Sequence, residues 1–511
     1  MENESPHSRA QEMDLETVKQ DLVSREFLAV VLAGFGNELQ PLTGDYGEEP
    51  SPKALLPVAN KPMIEYLLSW IEQSGIKDVL LICPAIHRPA LYHHIHSDVS
   101  SSNLNVDLQT YDETVESSVG TCTLLRHFTH RIKEDFVLLS CDFIAPPSLP
   151  LSTLLNQFRA DSGSNGSIAT TCWYATNSPE KASSPEEWGP AAPPMSIVWD
   201  DASGTLLHID TADDLDQNPD DLELRMSLLS KARPRYPRVR LSSNFQDSHI
   251  YVCRHSILDA ILEKKSLESF REEFLPWLCK VQYQKLKRKK YGHVLYPEAY
   301  AQSSQTTALQ HSTLLTFGAT DNSVLSPASE TEAEVTASLK VGIVLHRADT
   351  GFAIRVHDLH SYVEVNRRSL STANYTLPTD PKNRALIDQK ALISTDTIIG
   401  DSTKVSERTV IKKSIIGRHC IIGRMVTIVG CILLDHCVIE DGAKIDGSVL
   451  GKNTKIGSRA LLTRCVTQAG YEVRAGDSVK NEKLEASDWT AAGEITESDG
   501  DTSSENESNG A

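Results

Sequence analysis

Gly34, Gly36, Gly120 and Asp142 stand where residues of their type could do chemistry. Gly34 and Gly36 follow Phe27 to Leu32, an apolar run whose length and β-branched content suit a buried parallel strand. Glycines directly after a strand let the backbone turn tightly and bring its N–H groups close to a ligand, usually a phosphate; they serve an ordinary strand-to-helix turn equally well. Gly120 with Thr121 opens a helical segment through Leu125, and a glycine followed by an N-capping threonine explains that pair. Asp142 lies just past Phe136–Ser140, and ligands of open α/β sheets gather at the carboxyl ends of parallel strands. A single carboxylate is thin for a magnesium site, and an N-cap aspartate is the alternative.

The elements that must hold these residues alternate strand and helix. Met63 to Ser74 has helical spacing, and Val79–Cys83, Val106–Leu108, Phe136–Ser140 and Ser167–Trp173 read as strands. That order predicts a mainly parallel α/β sheet. Ser203 to Asp210 reads as a hairpin, Phe352–Val356 as a strand, and Asp358 to Arg367 as a helix capped by Asp358. Residues 1–25 read as a flexible tail, 177–195 as a surface loop and about 300–338 as a disordered insertion. The resulting domain runs over 26–367, with a linker at 368–391.

From Leu392 the pattern changes. Apolar residues recur every five or six positions, among them Ile399, Val405, Ile411, Ile416, Ile422, Ile428 and Leu433, with glycine following at Gly400, Gly417, Gly423, Gly451 and Gly457. This period predicts a left-handed parallel β-helix of roughly four coils over 392–480. His419 and His436 fall at its turns and read as surface residues. Residues 481–511, with nine acidic side chains and one lysine, read as a disordered acidic tail.

The 511 residues, 40% apolar and 23% charged, suffice for two or three domains, and no run of about 18 apolar residues predicts a membrane span. Ten scattered cysteines without a C-x-x-C pair read as reduced, buried thiols in a cytosolic protein. A net charge of −19 argues against general nucleic-acid binding, and the basic run Lys285 to Lys290 reads as solvated surface, with an RNA or nuclear-import patch as the alternative.

The linked blocks Leu32-Ala33-Gly34, Pro41-Leu42-Thr43, Pro52-Lys53-Ala54-Leu55-Leu56-Pro57-Val58 and Asn60-Lys61-Pro62 resemble the amino-terminal signature of the nucleotidyltransferases that make nucleotide-sugars. The resemblance implies a Rossmann-like nucleotidyltransferase domain with a nucleotide cleft at Gly34, Gly36, Lys53, Gly120 and Asp142. In active members an aspartate at the last position helps hold Mg²⁺. Three departures imply that the cleft is vestigial, with no catalytic residue, metal or cofactor. The glycine loop is one residue short. Glu38 replaces an arginine that faces the triphosphate, turning an attraction of roughly 4 kcal/mol at about 4 Å into a repulsion. Asp210-Thr211-Ala212 lacks the lysine that contacts the sugar phosphate.

Leu138–Ile144, Asp213–Asp216, Asp247–Cys253 and Ser269–Leu278 resemble the gamma-type subunits of the guanine-nucleotide exchange factor for translation initiation factor 2. That resemblance implies a scaffolding and regulatory subunit paired with an epsilon subunit and assembled with alpha, beta and delta subunits. It would act on initiation factor 2 carrying GDP, with no direct contact to nucleic acid or membrane. Epsilon relatives carry a further helical domain; only the acidic tail follows the repeats here, so the gamma type is expected. The alternative is an active sugar-nucleotide pyrophosphorylase of the mannose-1-phosphate guanylyltransferase kind.

Overall fold

The computed structural model describes residues 26–44, 51–97, 104–112, 119–175, 195–211, 236, 238–295, 339–372, 378 and 380–485. The expected amino-terminal tail, the 300–338 insertion, most of the 177–195 loop, Asp213–Asp216 and the tail beyond 485 lie outside them. The chain divides into two units: Met1–Glu38 with Pro52–Val365, and Leu39–Ser51 with Asn366–Ala511. Residues 39–44 and Ser51, which the sequence places inside the first domain, thus cluster with the repeats.

A ten-stranded sheet builds the first unit. In chain order its strands are β1 (Phe27–Leu32), β2 (Asp78–Pro84), β3 (Asn105–Tyr111), β4 (Asp135–Ser140), β5 (Ser167–Ala175), β6 (Ile197–Asp200), β7 (Thr205–Ile209), β8 (Val239–Ser242), β9 (Phe245–Cys253) and β10 (Lys340–His346). Their spatial order is β8-β6-β7-β10-β5-β9-β4-β1-β2-β3. The half around β1 is wholly parallel, with Val31 beside Leu81 and Leu139, whereas β9 runs antiparallel to both β4 and β5. Alternation along β1 sends Ala29 and Val31 into one core and Val30 into the other. Apolar residues on both faces account for its near-continuous hydrophobic sequence.

Three local readings change. The segment Ser203–Asp210 supplies only the second strand of a hairpin whose first strand is β6. Within Phe352–Val356 only Ile354–Arg355 forms a strand, pairing with Phe143–Ile144 in a separate two-stranded sheet. The helix after Asp358 runs Leu359–Thr372, five residues longer than the spacing indicated; Asp358 caps it by accepting the Ser361 N–H at 2.7 Å. The block Val58-Ala59-Asn60-Lys61 is a tight hairpin turn, with φ of 49° at Ala59 and 64° at Asn60, so that part of the signature is structural.

The second unit is a parallel β-helix with two faces of six strands and a third of five, from Leu392–Ile393 to Lys483–Leu484. It has nearly six coils instead of four and extends past residue 480. The sequence count fell short because one inward position is Thr467 and the last coil contributes only Val473, Val479 and Leu484. Inward positions advance by six, six and five residues, giving a 17-residue coil, as in the pairs Ile411 with Ile428 and Ile428 with Ile445. A Cβ at Gly417 would lie 2.6 Å from the Leu434 backbone of the next coil, and one at Gly451 would lie 2.7 Å from Ala469. Close stacking of corners therefore requires those glycines. A left-handed residue follows at most turns, yet many are not glycine: Arg408, Lys413, His419, Met425 and His436 all have φ between 49° and 62°. Among the described residues no helix is long and apolar enough to cross a membrane.

Candidate functional site

Strands β1 and β4 are neighbours and end together, so the glycine loop after Leu32 and the Cys141-Asp142 turn after Ser140 come side by side. They border a cavity of about 330 Å³ that Gly34, Phe35, Gly36, Lys53, Tyr111, Ser140, His249, Phe270, Arg271 and Arg355 help to line. This is the small end of the range for ligand pockets.

The expected cleft residues reach this region by different routes. Gly34 has nothing within 4 Å of where a Cβ would stand, so it faces open space. Gly36, at φ +80°, is demanded by its neighbour: a Cβ there would lie 2.8 Å from Lys53 Cδ. The Lys53 stem therefore lies against the loop, and its ammonium meets Asp142 Oδ2 at 2.5 Å. Gly120 serves packing: a Cβ there would strike the Glu268 carbonyl oxygen at 2.5 Å, while Val119 and Thr121 do line the cavity. That carbonyl also accepts the Cys122 N–H at 2.8 Å, which occupies one free donor of the helix Thr121–Phe128.

Asp142 lies wholly buried beneath the cavity. Besides Lys53 it accepts from Ser140 Oγ at 2.5 Å and from Arg355 Nε at 3.2 Å. Arg355 is placed by the short strand Ile354–Arg355, which the Val356 N–H ties to the Asp142 carbonyl at 2.8 Å. Burial opposes ionisation of the Asp142 carboxyl, but Arg355 and Lys53, with the hydrogen bonds from Lys53 and Ser140, outweigh it and hold the group well below the usual carboxylate range. The carboxylate that an active enzyme would turn toward a metal is thus committed to two cations of its own chain. Among the described residues, no three His, Cys, Asp or Glu side chains group so as to hold a metal ion.

Arg355 and a second arginine were not legible as site residues. Arg355 Nη1 donates to His249 Nε2 at 3.0 Å; since a guanidinium only donates, His249 carries its proton on Nδ1. Burial, then Arg355 and Arg271, push the His249 imidazole well below its ordinary range, so it is neutral. The residue sits in the bulge of β9 at φ 55°, a conformation strained for a side-chain-bearing residue. Arg271, in the π-helical turn Phe270–Phe274, pairs with the buried Asp247 at 3.0 Å and donates to the Asp210 carbonyl at 3.3 Å. It therefore bonds to the segment where the sugar-phosphate lysine was expected and is absent; Ala212 of that segment is outside the described residues.

One expectation about the loop needs correction. Glu38 is exposed on the 3₁₀ turn Asn37–Leu39 and does not line the cavity, so no local repulsion can be built on it. Phe35, however, does line it, and its ring packs edge-on against His87 with centroids 5.0 Å apart. The loop thus presents an aromatic side chain beside its glycines. All ten cysteines are free and buried, and burial pushes the Cys141 thiol up to about 12, which makes it inert.

Residues 28–182 match a family model described as nucleotidyl transferase, and residues 381–480 match one described as the eIF2B subunit epsilon LbH domain. The chain is 37% identical over 261 residues to the translation initiation factor eIF2B subunit gamma of Schizosaccharomyces pombe, covering 51% of this chain and 52% of that protein. It is 30% identical over 239 residues to the subunit of the same name from Caenorhabditis elegans, covering 45% and 54%. It is 24% identical over 386 residues to that of Dictyostelium discoideum, covering 71% and 79%. The match thus spans about half the length of the first two relatives. The order of domains, the glycine loop and the coil pattern agree with these matches: a domain similar to nucleotidyl transferases is followed by a β-helix similar to the LbH domain of the eIF2B epsilon subunit.

Proposed function

We propose that this chain is a non-catalytic gamma subunit of the guanine-nucleotide exchange factor for translation initiation factor 2. The observation that carries the loss of chemistry is the commitment of Asp142 to Lys53 and Arg355. Nucleotidyl transfer is driven by positioned charge on the phosphates and the metal. Here the lysine and the carboxylate neutralise each other. The subunit role draws on the similarity to three proteins named gamma subunits and on the epsilon-type β-helix model. The chain pairs with an epsilon subunit, assembles with alpha, beta and delta subunits in the cytosol, and assists release of GDP from initiation factor 2. Obligate interfaces commonly bury a few thousand Å², an area that a ten-stranded domain and a six-coil β-helix can supply.

The test is co-expression with an epsilon subunit, followed by GDP release from initiation factor 2 with epsilon alone and with the pair. A stable pair that releases GDP faster supports the proposal. Purification of this chain only as a homo-oligomer, or pyrophosphorolysis of nucleotide-sugars by the chain alone, would replace it with the pyrophosphorylase reading.

A further inference from the structure

A cationic face lies on the helix Lys285–Leu295 and on Lys264 and Lys265 beside it, apart from the cavity; the helix Ser256–Glu263, which precedes those two lysines, carries as its charged residues only the exposed acids Asp259 and Glu263. Between Glu273 and Glu298 the sequence holds six lysines and arginines and no acidic residue. The exposed positions of the helix Lys285–Leu295 are Lys285, Leu286, Lys289, Lys290 and His293. Lys285, Lys289 and His293 follow one another at intervals of four residues, so they rise along one side of the helix at about 6 Å steps. Lys264 and Lys265 follow the helix Ser256–Glu263, which packs against the basic helix.

The ammonium groups of Lys264 and Lys290 converge on one ring: they stand 4.7 and 5.3 Å from the centroid of Tyr291, and Lys264 is also 5.8 Å from that of Trp277. Among the described residues no carboxylate pairs with Lys264, Lys265, Lys285, Lys289 or Lys290, the adjacent Glu263 included. Surface lysines of an acidic protein ordinarily have carboxylates within reach. Asp259 and Glu263 are exposed on the neighbouring helix, yet among the described residues neither comes within ion-pair distance of Lys264 or Lys290, so these ammonium groups stay available to an anion of repeated charge.

We propose that this face binds the phosphodiester backbone of single-stranded RNA without sequence preference. The net charge of −19 does not oppose this, because at physiological salt charges beyond about 8 Å are largely screened and only the local field counts. A phosphodiester chain fits better than an acidic peptide segment. Leu286 is the one apolar residue on the exposed side of the helix, isolated among lysines, so a peptide finds no apolar anchor, whereas a phosphate chain needs only charge.

Fluorescence anisotropy of the full chain with a labelled 20-nucleotide oligouridylate tests the proposal. Neutralising about five phosphates predicts an affinity that falls about 100-fold between 50 and 200 mM salt. The variant Lys285→Glu/Lys289→Glu/Lys290→Glu should bind at least tenfold more weakly while its melting temperature stays that of the parent. Because Lys285 and Lys289 are solvent-exposed, Lys285→Gln/Lys289→Gln serves as a milder second variant, with a shallower salt dependence expected. Absence of binding at 50 mM salt, unchanged affinity in both variants, or tighter binding of labelled polyglutamate than of the RNA would each overturn it.

Discussion

Replacing Asp142 by Asn tests whether the old cleft has become an internal structural element. Asp142 is fully buried, and the side chains of Lys53 and Arg355 keep only 10% and 23% of their exposure. Asparagine preserves the shape but removes the charge, leaving Lys53 as a buried cation without its counter-ion. Breaking a buried pair from one side costs about 3–5 kcal/mol, most of it from the charge left behind. At about 2–4 °C per kcal/mol, the melting temperature of the sheet domain should fall by at least about 6 °C. The assay is calorimetry on the full chain, with Lys53→Met and the Lys53→Met/Asp142→Asn double variant completing a cycle. Removing both charges should cost less than the sum of the single losses by at least about 1 kcal/mol. Acid provides an independent arm. The folded pKa of Asp142 lies below its unfolded value of about 3.9, so its stabilisation is fully present above that value and disappears as pH falls toward the folded one. Wild type should therefore lose stability more steeply than Asp142→Asn below about pH 4. A melting temperature within about 2 °C of wild type, together with an unchanged acid slope, would refute the reasoning and return Lys53 and Asp142 to the role of free ligand-binding groups.

His249 is neutral in the fold and free to take a proton in the unfolded chain, whose ordinary value is about 6.5. Below that value the unfolded state binds more protons, so stability should fall from pH 7 to 5 by at most about 1.4 kcal/mol per unit; His249→Asn, which tolerates the positive φ, should flatten that slope, as urea midpoints will show. Met425 is exposed in a left-handed corner at φ 54°, and Met425→Gly should stabilise the β-helix by about 0.5–1 kcal/mol; a loss of that size would show that the side chain holds the corner. Gly451→Ala pushes a methyl group to 2.7 Å from the next coil and should cost about 1–3 kcal/mol or more, whereas Gly34→Ala, with open space around it, should leave thermal stability unchanged. Equal melting temperatures for those two variants would contradict the assigned contacts.

Local pattern determined much of this protein. An apolar run buried on both faces, glycines where β1 ends, and inward residues advancing in steps of five and six are covalent facts of the chain. They specify a parallel strand, a tight turn and a coil wherever the chain finds a core to cover. Gly417 and Gly451 were legible for the same reason, because corner stacking repeats with the sequence. The coil count was less legible: Thr467 breaks the apolar period, and left-handed corners occupied by Arg408 or Met425 carry no glycine to mark them.

The charge pairing at the cleft was decided by tertiary structure alone. Lys53 and Asp142 are 89 residues apart and Arg355 is 213 beyond Asp142, so nothing local says that they neutralise one another. The same holds for Arg271 and His249, which stand on a π-helical turn and a bulged strand and meet the cavity only because β9 lies beside β4. It holds in reverse for Glu38, whose charge looked decisive in sequence yet points to solvent. A residue type states what a side chain can do; the distance to its partner, set by the packing of the whole sheet, decides whether that capacity is free for a ligand or spent within the fold.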